Sequence, residues 1–299
     1  MKLQTPVADE KCKVGISYND KIMMLGSCFS DNIGKQLKDF GFDVWVNPFG
    51  TLYNPASISD AIKRLISASP FTENDCTEIG AGSNKICSFS HHTSFARETA
   101  EEFLENANKT LAAASEFFSK CNKVIITLGT SWCYRHIQQE KIVSNCLKHP
   151  AAEFVREFLP TQQTESILSD IINTCLGKAT SNPDFVKKEF IFTVSPIRHF
   201  KDGAHGNQIS KAGLLLGVDS TVRTHSDNSD YFPAYEIVMD ELRDYRFYAE
   251  DMCHPTLQTA NYIRERFLDW ALPASEHQKL EDNIRAFKHS CHRQSHATL

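Results

Sequence analysis

Four short apolar runs punctuate the chain, and each is closed by a turn former. Residues 22–25 (IMML) end at Gly26, 44–46 (VWV) at Asn47-Pro48, 124–128 (VIITL) at Gly129 and 190–194 (FIFTV) at Ser195-Pro196. Brief, unbroken runs of this kind mark strands covered on both faces. Residues 245–249 (YRFYA) are a weaker fifth candidate. Helical periodicity fills the intervals. Residues 31–40 place Ile33, Leu37 and Phe40 on one stripe and stop at Gly41, a C-terminal cap signal. Residues 55–66 repeat the pattern with Ile58, Ala61, Ile62 and Leu65, and 95–118 with Phe103, Leu104, Ala107, Leu111 and Phe118. Further helices are expected at 164–176, 208–216, 257–270 and 273–288, while 71–94 and 133–150 read as irregular rim segments. Alternating strand and helix predicts an α/β fold, a three-layer αβα sandwich around a parallel five-stranded sheet. No repeat, linker or charge block divides the chain. It reads as one domain over 1–299, with a core at about 21–270 and a polar helical tail at 271–299.

Composition narrows the classes. Of 299 residues, 41% are hydrophobic and 23% charged, as in an average soluble domain. Lys and Arg total 32 against 37 Asp and Glu, so no basic field is available to hold nucleic acid. No stretch approaches the roughly 20 apolar residues of a membrane helix, and the first residues, MKLQTPVADEKCK, contain no signal-like apolar run. The ten cysteines lie far apart without a CxxC pair, so they read as free thiols in a reducing, cytoplasmic setting, about four in five of them in the core. His91-His92 reads as a surface pair. The tail group His289, Cys291, His292 and His296 lacks a second cysteine pair, so no metal site is expected. No phosphate-binding glycine motif occurs, and no cofactor is called for. The oligomeric state is open.

In a parallel sheet, chemistry collects where strands end. After the first run stands Gly26-Ser27-Cys28-Phe29-Ser30-Asp31. A nucleophile on a tight turn entering a helix is exposed and faces the helix amides, and a thiol there is expected to have a lowered pKa. Ser27 and Cys28 compete for the role; the purely structural alternative is a Ser27 cap beside a buried Cys28. Late in the chain, Asp251-Met252-Cys253-His254-Pro255 places a carboxylate three residues before an imidazole, with Pro255 expected as the first residue of a helix. Such a carboxylate orients the ring and leaves its other nitrogen free to act as a base.

Together these segments resemble the SGNH (GDSL-like) hydrolases, and the first resembles the GSCFA domain family, with Ser30 in the last place. Asn47-Pro48-Phe49-Gly50-Thr51 with Tyr53-Asn54-Pro55, Leu128-Gly129-Thr130-Ser131-Trp132 and Ser195-Pro196-Ile197-Arg198-His199 extend the resemblance over about residues 21–270. It implies an SGNH hydrolase or flavodoxin-like sheet. Laid over Gly-Asp-Ser-Leu without a gap, the first motif puts Cys28, not Ser27, in the nucleophile position, and Gly34 matches a following glycine. By the same resemblance Asp251 and His254 complete a triad. The oxyanion hole comes from Cys28 and Gly50 N–H groups with Ser131, where the family pattern of the hydrolases has Asn, or Thr130. Asn47, Arg198 and His199 are the expected substrate contacts; Arg198 has the geometry to clamp a carboxylate or phosphate. In the loop and helix at 202–211, Asn207 or Ser210 is the expected cap and Lys211 a surface residue. The implied activity is an acyl hydrolase, an esterase or O-acetyl esterase, acting on a small-molecule or carbohydrate acyl ester. An acyltransferase with the same residues, a non-catalytic binding module keeping the cleft, and a redox-sensing Cys28 thiol are the alternatives.

Overall fold

Five strands form one parallel sheet: β1 (Lys21–Gly26), β2 (Asp43–Val46), β3 (Lys123–Leu128), β4 (Glu189–Val194) and β5 (Ser229–Phe232), in the order β5-β4-β3-β1-β2. The computed structural model describes residues 5–7, 11–80 and 82–296, with side chains described as far as residue 291. Alternate side chains of the strands divide between two cores. Met23, Leu25, Val124, Ile126, Phe190 and Phe192 enter one, and Ile22, Met24, Ile125 and Ile191 the other. This two-sided burial is why the strands read as unbroken apolar runs. Each fully buried Leu, Ile or Phe contributes roughly 1.5–3 kcal/mol.

The first core is covered by α2 (Pro55–Ser67), α3 (Ala100–Lys120), α4 (Thr161–Ser181) and α5 (Gly203–Thr224). The second lies under α1 (Cys28–Asp39) and α6 (Leu257–Ala271), with Leu280, Ile284 and Phe287 of α7 (His277–His296) packed against it. The result is the expected αβα sandwich. At Gly34 the approach of α1 to the sheet is so close that a Cβ would lie 2.4 Å from Val46 Cγ2.

The four strong runs sit inside β1 to β4, but the fifth strand is 229–232, not 245–249. Ser229–Phe232 (SDYF) pairs with β4 at the sheet edge, with Ser229 opposite Phe190, so two of its four residues stay only partly buried and its apolar signal is weak. Tyr245–Phe247 is instead a single 3-10 turn capped by Asp244, and Tyr245 is exposed. Residues 93–95 form a separate turn, so α3 starts at Ala100, where Thr99 caps it. Pro255 does not open α6. Thr256 caps that helix through its Oγ1, 3.1 Å from Thr259 N, while Pro255 bridges to Tyr248. The rim is more regular than expected: Trp132–His136, Lys141–Val143 and Phe154–Phe158 form an antiparallel sheet. Cys87, Cys121, Cys133 and Cys175 are the buried thiols among the described residues, fewer than expected. His91 is buried among Phe49, Phe71, Phe95 and Phe103, not on the surface, and desolvation lowers its pKa to about 3. No helix among the described residues is long and apolar enough to cross a membrane. His292 and His296 side chains lie outside the described residues. No group of three His, Cys, Asp or Glu suited to a metal occurs among the described ones.

The chain leaves β1 toward β2 on one side and returns to β3 on the other. The order reverses between β1 and β3, and in open parallel sheets the ligand crevice lies outside the carboxyl ends of the strands at that point.

Candidate active site

β1 ends at Gly26 with φ +145°, a conformation only glycine adopts without strain, and a Cβ there would lie 2.2 Å from Thr127 O. The turn brings Ser27 and Cys28 to the start of α1. Ser27 is fully buried, and its Oγ accepts from Phe29 N at 3.3 Å, so the hydroxyl serves as the helix cap. Cys28 is only partly buried. Its thiol pKa is raised, not lowered as expected: burial comes first, then the Asp31 carboxylate one turn along. The N–H groups of Cys28 and Phe29 act in the opposite direction and are outweighed. The resting thiol is therefore protonated at neutral pH.

Asn47 braces this elbow. Its Oδ1 accepts from Gly26 N at 2.8 Å, its Nδ2 donates to Asp31 Oδ1 at 2.7 Å, and its own N donates to Met24 O at 2.9 Å. With φ +43° and 8% exposure, it positions the elbow and has little surface for a substrate. Gly50 N is also committed, to Asn47 O at 2.8 Å. Tyr53 O accepts from both Gly129 N and Thr130 N, at 2.8 and 3.0 Å, tying the loop after β2 to the loop after β3. Burial raises the pKa of the Tyr53 phenol, and the nearby Asp31 carboxylate and, once ionised, the Cys28 thiolate add to the shift.

Beyond Gly129 the polar groups are inward-facing. Ser131 is fully buried. Its N donates to Ser210 Oγ at 2.7 Å and its Oγ to Ser210 O at 3.1 Å, and Thr130 Oγ1 also meets Ser210 Oγ, at 3.0 Å. Ser210 and Asn207 do not cap α5. Asn207 Oδ1 accepts from His199 N at 2.9 Å. Lys211 is a correction to the surface reading: it is 1% exposed, and its Nζ donates to Gly129 O at 2.6 Å and Ser195 O at 2.7 Å. Desolvation lowers its pKa to about 7. The His199 ring lies edge-on to Tyr53 with its Nε2 buried and unpartnered. Burial, then the charge of Lys211, lowers its pKa to about 4.

The loop before α6 carries the second half of the site. His254 Nδ1 meets Asp251 Oδ2 at 2.5 Å, while Asp251 Oδ1 accepts from the N–H groups of Cys253 and His254, both at 2.9 Å. These backbone donors, ahead of the ring, lower the Asp251 pKa to about 2. Met252 supplies the bend with φ +54°. Arg198 joins this loop to the end of β4. Its N donates to Cys253 O and its Nη1 to Met252 O, each at 3.1 Å. His254 is near enough to His199 to contribute to the depression of that ring's pKa. Among the described residues no hydrogen bond joins the His254 ring to Ser27 or Cys28.

The motifs thus occur in chain order at the ends of β1, β2, β3 and β4 and before α6, and the GSCFA family profile matches residues 21–267. The chain belongs to the GSCFA family. No curated protein matches it. In this GSCFA protein, sequence reasoning missed three participants. Asp31 carried a signal, being in the first turn of a helix that follows a candidate nucleophile. Tyr53 stood within a motif without a role. Lys211 carried none, since only tertiary packing buries it.

Proposed function

We propose that this GSCFA protein is an acyl hydrolase of the SGNH type that forms a thioester on Cys28. In the first step Cys28 Sγ attacks the ester carbonyl carbon as its proton passes to His254 Nε2. Asp251, ionised throughout the working pH range, holds Nδ1–H and stabilises the imidazolium. The C–O bond then breaks, and the departing alkoxide takes the proton from His254. Water attacks the thioester with His254 again as base, releasing the acid and restoring the thiol. A protonated resting thiol makes His254 a true general base here, not the partner of a preformed ion pair.

Gly50, Thr130 and Ser131 spend their expected oxyanion donors inside the fold. We therefore assign that task to Cys28 N–H, at the positive end of α1, and the Tyr53 hydroxyl, whose proton is not used by the Thr51 Oγ1 bond that it accepts. The Asp251 and His254 side chains are 49% and 52% exposed, which favours water over a bound alcohol as the acceptor.

The observation that carries this reading is the Asp251–His254 pair on a loop tied by Arg198 to the sheet edge. Hydrolysis of p-nitrophenyl acetate tests it. The wild type turns over; C28A and H254A lose at least about a hundredfold; S27A keeps activity and loses only a helix cap worth about 1 kcal/mol. Wild-type turnover no faster than that of H254A refutes the reading and leaves a binding module, and retention in C28A with loss in S27A refutes the thioester.

A further inference from the structure

We infer that the alcohol side of the ester carries a negative charge and is received by Arg198; this rests on the acyl hydrolase reading. A general acid must reach the leaving oxygen, so the leaving group lies on the side of His254 and its neighbours. Arg198 is bonded to the two carbonyls just before His254, those of Met252 and Cys253. Its guanidinium is held over three aromatic rings, with Cζ 4.2 Å from the Phe200 centroid, 5.4 Å from Tyr248 and 5.9 Å from Tyr245. It makes no ion pair with a carboxylate among the described residues, although most guanidiniums of this chain do, as Arg156 does with Asp202. Only Nη1 is used, so Nε and Nη2 remain as a donor edge.

Arg198 lines a cavity of about 160 Å3 together with Arg243, Asp244, Tyr245, Tyr248 and Met239. Of the charges lining it, Arg243 pairs with Asp240 at 3.7 Å and Asp244 with Arg246 at 3.5 Å, which leaves Arg198 as the cation there without a carboxylate partner among the described residues. Tyr245 is 67% exposed and Phe200 38%, two large ring faces left open beside the charge. A stacked, unneutralised guanidinium bordered by open rings is built for a ring-bearing anion, a carboxylate or phosphate on a sugar or aromatic alcohol. The volume admits the charged group and part of one ring, not a polymer.

The test compares 4-acetoxybenzoate with methyl 4-acetoxybenzoate. The neutral ester has the better leaving group, so intrinsic reactivity runs against the prediction. The wild type prefers the carboxylate by about tenfold or more in kcat/KM, mainly through KM, and added chloride narrows the ratio. In R198Q the ratio falls to near unity, and R198K restores part of it. A merely structural tie of Arg198 to the loop lowers both substrates together and leaves the ratio unmoved, which overturns the inference. Equal use of both esters by the wild type also overturns it while the hydrolase reading stands. If neither ester is hydrolysed, p-nitrophenyl acetate still decides the hydrolase reading, and calorimetry with 4-hydroxybenzoate decides the anion site alone: binding lost in R198Q supports it, and no binding by the wild type overturns it.

Discussion

Lys211→Met removes a buried amine whose cost depends on pH in a calculable way. Lys211 is 1% exposed and bonded to Gly129 O and Ser195 O, and its pKa stands at about 7 in the folded chain against 10.5 for an ordinary lysine. At about 1.4 kcal/mol per unit, that difference corresponds to roughly 5 kcal/mol of desolvation. Because the folded pKa is the lower one, the unfolded chain binds more protons between those two values. Stability therefore rises with pH across that window, by up to about 1.4 kcal/mol per unit, and the penalty is complete only below pH 7. Methionine has no such dependence, but it leaves two carbonyls without donors, at about 1–3 kcal/mol each. Near neutrality the two effects offset one another. By pH 9.5 the wild type should have gained about 3 kcal/mol on the variant. Urea unfolding followed by tryptophan fluorescence between pH 7 and 9.5 measures this, and thiol titrations common to both proteins cancel in the difference. A difference that stays flat or shrinks with pH refutes the reasoning, and means that the carbonyls hold Lys211 as an ammonium.

Three further outcomes follow from the elbow and the dyad. Gly26→Ala meets Thr127 O at 2.2 Å in a backbone conformation that alanine resists, and should cost about 3 kcal/mol or more, read as a fall of roughly 5 °C or more in Tm. Alkylation of Cys28 by iodoacetamide, followed by peptide mapping, should be slow at pH 7 and still rising above pH 9, because its thiol pKa is raised; Asp31→Asn should move the whole curve to lower pH. Asp251→Asn should lower ester hydrolysis by about a hundredfold at every pH tested, since the native carboxylate, held at about 2, is ionised throughout; a wild type and variant that converge in mild acid would contradict this.

The central strands were legible because both of their faces are apolar, so 22–25, 124–128 and 190–194 announce themselves without context, and edge strand β2 was legible because Val44 and Val46 pack on one core and Trp45 on the other. β5 was not, because an edge strand buries two of four residues and Ser229–Phe232 lacks an apolar run. The ends of α3 and α6 were set by caps, Thr99 and Thr256, that periodicity alone does not weigh against neighbouring Phe95 and Pro255. At the site, the order of motifs conveyed which loops meet at the sheet edge. It did not convey how donors are spent: Asn47, Gly50 and Ser131 look available in sequence and are bonded inside the fold. The sign of the Cys28 shift was also hidden, because burial and a carboxylate three residues on outweigh the helix amides.

Trapping the acyl-enzyme tests the central claim most directly. Wild-type protein, quenched in acid during turnover of p-nitrophenyl acetate and mapped by mass spectrometry, should carry one acetyl group on Cys28, formed far more slowly in H254A. An acetyl group on Ser27, or one on Cys28 that forms as fast without the His254 imidazole, would contradict the account.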